Sequence, residues 1–205
     1  MLLKGNFLRS KRKSGVLLAI SSLPSDYGIG SLGKEAFRFV DFLSQTNQSF
    51  WQLLPLCPIG KGNSPYSTLC SFAGEILYID IEKLLLDGLL SQNDIKNKSF
   101  EINTNYDEVR KFKLPLLKKA AESFDISSKQ FLAFKKENEF WLKDYCLFMA
   151  IKDSLDDKEF IYWEEPYKYH FADALRLFEA NHKKEILFYE ITQFLFYSQY
   201  FELKS

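Results

Sequence analysis

The hydrophobic positions in the amino-terminal part of the chain form short strand-like runs. Residues 15–20 read GVLLAI, an apolar run bounded by turn residues, which predicts a strand buried on both faces. A second run, at 50–54, stops at a proline, and a third, at 76–81, is a further candidate strand. Long glycine-, proline- and serine-rich loops follow the first two runs, so we predict strand–loop–helix units of parallel α/β type.

From residue 82 onward, apolar side chains recur at helical spacing instead. One helix of the same kind is predicted between the first two strands. Residues 91–94, Ser-Gln-Asn-Asp, fit a capping box between two later helices, and 96–105 is the expected exposed linker. The predicted helical stripes are Ala36, Phe39, Val40 and Leu43; Val109, Phe112, Leu116 and Ala120; Trp141, Tyr145, Phe148 and Met149; and Leu187, Ile191, Phe194 and Leu195.

Composition and charge exclude several classes of protein. With 46% hydrophobic and 17% aromatic residues, the chain can bury a sizeable core. Lysine plus arginine equals aspartate plus glutamate at 27 each, so we expect neither a nucleic-acid nor a membrane partner. The apolar run at 16–20 is too short for a signal peptide, and no run approaches the ~20 residues of a membrane span.

The cysteines indicate the redox environment. Cys57, Cys70 and Cys146 form no CxxC pair and are odd in number, which fits a reducing compartment better than a disulfide framework. We interpret them as small buried or half-buried side chains and expect a cytoplasmic protein.

The chain contains no convincing signature of nucleotide binding, metal binding or nucleophilic catalysis. Residues 28–33, GIGSLG, match the dinucleotide fingerprint, but they lie too far from the preceding strand, and the acidic ribose ligand is missing at its expected distance. His170 and His182 are the only histidines, and neither has a partner at metal-ligand spacing. Their distance from the amino-terminal loops disfavours a histidine-activated nucleophile, and no G-x-S-x-G motif is present.

The loop after the second strand carries the most suggestive chemistry. A pyranose stacks its apolar face on an aromatic ring and needs directional hydrogen-bond partners, which Tyr66, Ser64 and Asn63 could supply. The alternative is that Tyr66 packs against the core and simply closes the loop. Composition alone leaves both interpretations open.

Residues 14–43, 50–67 and 71–80, taken together, resemble the amylomaltase or disproportionating-enzyme family of 4-α-glucanotransferases in order, spacing and strand context. Residues 141–153 and 193–204 are similar to the same family, so the likeness spans nearly the whole chain. The resemblance implies an α/β fold: the amino-terminal part of a (β/α)8 TIM-type barrel with large helical insertions, incomplete in this chain. The implied segments are a basic leader at 1–13, the first barrel strands and substrate-facing loops at 14–81, a mainly helical insertion at 82–185 and a helix returning to the barrel at 186–205.

The resemblance also implies a reaction. Members of the family transfer α-1,4-glucan segments between maltooligosaccharides by a retaining double displacement, using an aspartate nucleophile and a glutamate acid/base. The motifs of these carboxylates lie beyond the position matching Lys204, so we expect no catalytic residue in this chain, no activity from it alone, and a missing carboxyl-terminal part of the barrel as its partner. No cofactor is implied. The Ser-Pro-Tyr motif carries over onto Ser64 and Tyr66, the expected substrate-binding residues.

Several positions depart from the family pattern, among them Cys57, which replaces a common glycine, and Ser67, where the family usually has glutamine. Asn63 stands where the family usually has aspartate, and Glu75 stands in a usual Gly-Asn-Pro motif. Lys61 replaces a residue that is aromatic in some members and linked there to a secondary glucan site, so we do not predict that site. A non-catalytic glucan-binding or interaction protein derived from the family is the alternative function.

Overall fold

A computed structural model describes residues 12–60, 62–95, 99–101 and 103–205. Residues 1–11 of the predicted leader, Lys61 and residues 96–98 and 102 of the predicted linker lie outside this range.

The described chain begins with a two-stranded parallel sheet. Strand β1 (Gly15–Leu17) pairs in parallel with β2 (Phe50–Gln52), and helix α1 (Lys34–Gln45) connects them, which confirms the predicted strand–loop–helix order. The expectation that β1 is buried on both faces is wrong, because the Leu17 side chain is 56% exposed. Within the described residues each strand has a single neighbour, so each strand has one edge without a strand partner.

Helix α1 packs on the sheet through aromatic side chains. The Phe39 ring meets the edge of the Trp51 ring, with centroids 4.8 Å apart. The Trp51 indole Nε1 donates to the carbonyl of Leu18, 2.8 Å away, so this side chain also joins the two strand ends. The result is a small α/β unit whose strand ends are held at a fixed spacing.

The third predicted strand, at 76–81, is wrong. Residues Ile76–Tyr78 form a 3₁₀ turn, and helix α2 (Ile81–Leu86) begins directly after Asp80. The Asp80 side chain caps that helix by accepting a hydrogen bond from the Lys83 N–H, 2.8 Å away. An apolar run alone does not distinguish a strand from another buried conformation. The conformation depends on which parts of the fold supply hydrogen-bond partners for its main-chain N–H and C=O groups.

Helices dominate the rest of the described chain, as the stripes predict. The capping box at Ser91 and Asp94 is present, but it precedes a 3₁₀ turn, Gln92–Asp94, instead of an α-helix. The remaining helices are α3 (Tyr106–Glu122), α4 (Lys129–Glu137), α5 (Glu139–Ser154), α6 (Glu165–Lys168), α7 (Ala172–Asn181) and α8 (Lys183–Lys204), with a further 3₁₀ turn at Phe160–Tyr162.

One large hydrophobic core joins the sheet region to the helices. It contains side chains from the first loops, from α2 to α5 and from α8, which packs against both α3 and α5. A smaller cluster forms around Trp163 and Phe178, beside the carboxyl-terminal half of α5. The four-segment division remains a prediction.

The cysteines and the helix hydropathy complete the description. Cys57 and Cys70 are half-buried and Cys146 is buried, all as free thiols, as the sequence predicts. Among the described helices, none has the length and apolar character that crossing a bilayer requires.

Candidate functional site

Two loops leave the same edge of the sheet. Because β1 and β2 are parallel and paired in register from Gly15 and Phe50, their carboxyl ends lie side by side. The β1 loop (residues 18–33) and the β2 loop (residues 53–74) therefore begin next to each other. In parallel α/β folds, this edge is where ligands bind.

The β2 loop folds into a compact turn that presents Ser64 and Tyr66. Ile59 and Thr68 form an isolated antiparallel bridge, and the Gly60 N–H donates to the Ser67 carbonyl at 3.0 Å. The Ser67 N–H in turn donates to the Ser64 carbonyl at 3.1 Å. Gly62 has a positive φ of 87°, which turns the chain at little steric cost.

The two predicted binding residues lie on this turn. The Tyr66 side chain is 74% exposed, so the interpretation that it packs against the core is wrong. Ser64 is half-buried, and its Oγ accepts a hydrogen bond from the Tyr66 N–H at 3.3 Å. The tyrosine ring is thus free to stack, while the serine stiffens the backbone beneath it.

A buried carboxylate anchors the base of the turn. Glu75 Oε2 accepts a hydrogen bond from the Ile59 N–H at 2.7 Å, and Oε1 accepts one from the Leu77 N–H at 3.0 Å. Burial raises the pKa of Glu75, although these two N–H groups and the nearby cations Arg110 and Lys113 act in the opposite direction. The glutamate that departs from the family pattern is therefore a structural residue of the loop.

Lys113 stabilises the backbone that follows Glu75. Its side chain is fully buried, and Nζ donates to the carbonyls of Leu77 at 2.6 Å and Ile79 at 2.7 Å. Burial lowers the pKa of Lys113 to about 8, against the opposing effect of Asp80 and Glu75. Lys113 thus binds two carbonyls that a neighbouring strand would otherwise have to pair.

Two glutamines of α8 complete this backbone pairing. The Gln193 side chain accepts from the Gly74 N–H at 2.7 Å and donates to the Gly74 carbonyl at 3.0 Å. Gln199 accepts from the Asp80 N–H at 2.7 Å and donates to the Asp80 carbonyl at 3.4 Å. Together with Lys113, these glutamines bond main-chain groups of residues 74–80 that would otherwise need a strand partner.

The glycines of the β1 loop serve close packing. A Cβ on Gly30 would meet the Ile20 carbonyl oxygen at 1.9 Å. A Cβ on Gly33, which precedes α1, would meet the Asp80 carboxylate at 2.0 Å. Ser31 Oγ donates to the same carboxylate at 2.6 Å. A negative side chain therefore occupies the amino-terminal end of α1, where a dinucleotide site would bind phosphate.

The histidines do not join this site. His170 is exposed, and the His182 ring stacks on Phe178 with centroids 3.8 Å apart. No cluster of three or more potential metal ligands occurs in the part of the chain that the structure describes.

Sequence reasoning missed the anchoring residues Glu75, Arg110 and Lys113. The available signal was a charged residue between apolar ones, as at Gly74-Glu75-Ile76, because a buried charge needs a partner. The partners themselves lie on α3, more than thirty residues away, and local pattern does not identify them.

Known proteins resemble this chain along nearly its whole length. The family model described as 4-alpha-glucanotransferase matches residues 18–205. The 4-alpha-glucanotransferase of Aquifex aeolicus is 41% identical over 196 residues, which cover 94% of this chain and 40% of that protein. The enzyme of Streptococcus pneumoniae TIGR4 is 36% identical over 203 residues, 95% of this chain and 40% of that protein. The chain thus spans about 40% of the length of these relatives.

Solved structures agree with the sequence matches. The amylomaltase from Streptococcus agalactiae, in complex with acarbose, superposes with a TM-score of 0.88 at 38% identity, covering 95% of this chain and 40% of its own. The amylomaltase from Corynebacterium glutamicum superposes with a TM-score of 0.66 at 18% identity, covering 93% and 28%, and supports the fold only. The fold is accordingly part of that of amylomaltase, a TIM-barrel enzyme, and the predicted resemblance is confirmed. The 205-residue chain belongs to the 4-alpha-glucanotransferase family.

Proposed function

We propose that this chain supplies part of the α-1,4-glucan-binding surface of a 4-α-glucanotransferase, with Ser64 and Tyr66 as substrate contacts. The observation that carries the proposal is the exposed Tyr66 ring on a turn whose base is hydrogen-bonded to a buried carboxylate. An exposed ring on a hydrogen-bonded turn suits a pyranose face, because the sugar can stack on the ring while the backbone beneath is already ordered. Acarbose bound to the similar S. agalactiae amylomaltase supports an oligosaccharide ligand.

The proposed reaction is transfer of glucan segments between maltooligosaccharides by a retaining double displacement. It needs two free carboxyl groups about 5–5.5 Å apart across the scissile bond. The buried carboxylates of the described chain, Glu75 and Asp80, already accept two hydrogen bonds each. We therefore propose that the nucleophile and the acid/base belong to polypeptide outside these 205 residues.

Open strand edges support the same proposal. Within the described residues β1 and β2 each have one strand neighbour, which leaves one edge of each strand unpaired. Phe50 in β2 and Leu17 in β1 are also 56% exposed, although parallel sheets are ordinarily covered on both faces. The relatives contain additional chain equal to about 60% of their length, since this chain covers 40% of them. We propose that further barrel strands pair with these edges and that the assembled protein is cytoplasmic.

A maltotriose disproportionation assay tests the proposed reaction. The purified 205-residue chain should release no glucose and form no longer maltodextrins, because it lacks the two carboxylates. Turnover by the wild-type chain that is lost in Tyr66→Ala would contradict the placement of the catalytic groups outside this chain.

The alternative, a non-catalytic glucan-binding module, makes the same prediction for turnover but a different one for solution behaviour. An independent module is monomeric and unfolds cooperatively, whereas a part-barrel with open edges self-associates. Sedimentation velocity separates them. The open edges of β1 and β2 favour the part-barrel.

A further inference from the structure

Two oppositely charged side chains hold the two main-chain polar groups of Ile59. Glu75 accepts the Ile59 N–H at 2.7 Å, and Arg110 Nη2 donates to the Ile59 carbonyl at 3.2 Å. Arg110 Nη1 also donates to Asn63 Oδ1 at 3.4 Å, one residue before Ser64. The guanidinium therefore spans the turn from its base to the residue that precedes the Ser-Pro-Tyr motif.

Glu75 and Arg110 thus form a clamp on Ile59, and each of these two side chains is itself held in place. Glu75 is buried and is also bonded by the Leu77 N–H, so its carboxylate has a fixed orientation. Arg110 lies on α3, one helical turn after Tyr106, and its guanidinium carbon lies 6.0 Å from the centre of the Tyr106 ring. Ile59 is buried and bridges to Thr68, so fixing its backbone fixes both sides of the turn.

We propose that Glu75 and Arg110 are positioning residues for glucan binding: by clamping Ile59 and Asn63, they hold the turn that presents Ser64 and Tyr66. This inference rests on the proposed function of that turn. Neither side chain touches the sugar. Their effect is to remove the ordering cost that a mobile loop would add to each binding event.

The two-donor geometry of arginine is the specific requirement. A planar guanidinium reaches two acceptors at once, whereas a lysine ammonium is a single point charge on a flexible stem. Arg110→Lys therefore retains the positive charge near Glu75 but loses one of the two contacts. Arg110→Ala loses both contacts on a helix that tolerates alanine well.

The test compares wild-type chain with Arg110→Ala, Arg110→Lys and the control Lys111→Ala, whose side chain is exposed on the same helix. Three quantities are measured: hydrogen exchange at the Ile59 and Gly60 amides, the thermal midpoint of unfolding, and the Kd for maltoheptaose by calorimetry. Because Arg110 is only half-buried, we expect these variants to fold.

The expected result is faster exchange at both amides and about tenfold weaker maltoheptaose binding in Arg110→Ala, equivalent to about 1.4 kcal/mol. Arg110→Lys should recover the thermal midpoint but not the affinity, a split that a purely structural role would not produce. Lys111→Ala should match wild type in all three.

Two results overturn the inference: unchanged amide exchange in Arg110→Ala, or a loss of affinity that only parallels the thermal midpoint across the variants. If the wild-type chain binds no maltoheptaose while Arg110→Ala still accelerates exchange, the proposed function of the turn fails. In that case the clamp exists, but its role in glucan binding is refuted.

Discussion

At the scale of single residues, buried charges determine the structure beside the candidate site. Lys113 is fully buried and bonds the carbonyls of Leu77 and Ile79, while Glu75 bonds the N–H groups of Ile59 and Leu77. Each charged side chain thus supplies hydrogen bonds to main-chain groups that a neighbouring strand would otherwise have to supply. A buried charge with well-placed partners fixes a conformation even where its net contribution to stability is small.

Replacing Lys113 with methionine should lower the free energy of unfolding by about 1–3 kcal/mol, because the two buried carbonyls lose their donor. The effect should depend on pH. Burial lowers the pKa of Lys113 to about 8 in the folded chain, and the pKa in the unfolded chain is about 10.4. Between these values the unfolded chain binds more protons, so the contribution of Lys113 to stability increases as pH rises.

Urea unfolding of wild type and Lys113→Met, at about pH 7 and about pH 9.5, measures this linkage. Taking the difference between the two proteins cancels the titration of groups common to both. The stability difference should be larger at the higher pH; a difference that is constant or smaller there would show that Lys113 keeps its proton throughout.

At the scale of elements, α8 replaces a missing strand partner. Gln193 and Gln199 each pair both the N–H and the C=O of one residue, Gly74 and Asp80 respectively, across 119 positions of sequence. Close approach is needed at Gly74, where a Cβ would meet the Phe196 ring at 2.1 Å. The helix and the backbone at 74–80 are therefore fitted to each other.

Gln193→Leu should destabilise the chain by roughly 2 kcal/mol or more, because it leaves a buried N–H and a buried C=O of Gly74 unpaired. The matched control is Lys184→Ala on the exposed face of the same helix, which should shift stability by less than about 0.5 kcal/mol. Chemical denaturation of both variants provides the comparison. Equal stability of Gln193→Leu and wild type would mean that water or a shifted backbone satisfies Gly74.

These elements show how far the sequence predicts the fold. Helical stripes in α1, α3, α5 and α8 were identifiable because a period of 3.6 residues is a local property. The run at 76–81 reads as a strand, but its main-chain groups are bonded instead by the side chains of Lys113 on α3 and Gln199 on α8. Local patterns contain no information about such distant partners.

In the candidate site, too, local motifs were predictable from sequence and distant contacts were not. Ser64 and Tyr66 were predictable from a short motif, and the structure adds that the ring is exposed. The clamp residue Arg110 was not predictable, since on sequence it is one charged residue among several on the polar side of α3. Its role becomes visible only when the fold brings it to Ile59.

At the scale of the whole molecule, the chain exposes surface that a finished parallel sheet covers. Leu17 in β1 and Phe50 in β2 are half-exposed, and Phe42 on α1 is 52% exposed. These exposed apolar side chains lie on β1, β2 and α1, the unit on which the further barrel strands proposed above would assemble.

Leu17→Lys should reduce self-association of the isolated chain at constant stability, because a charge on an open strand discourages edge-to-edge pairing. Sedimentation velocity over a concentration series measures it, with Leu86→Lys as the control, since Leu86 is 83% exposed and lies at the end of α2 instead of on a strand. If self-association is unaffected by Leu17→Lys but reduced by Leu86→Lys, the self-associating surface includes Leu86 and not the open strand β1.

The most direct test of the account is calorimetric titration of maltoheptaose into the wild-type chain, Tyr66→Ala and Tyr162→Ala. Tyr162 is 65% exposed and serves as the matched control for Tyr66. We predict measurable binding by wild type and Tyr162→Ala, and about tenfold or greater weakening in Tyr66→Ala, in line with the loss of an aromatic stacking contact of about 1.4 kcal/mol. Equal affinity of Tyr66→Ala and wild type, or no binding by the wild-type chain, would contradict the assignment of the β2 loop as a glucan-binding surface.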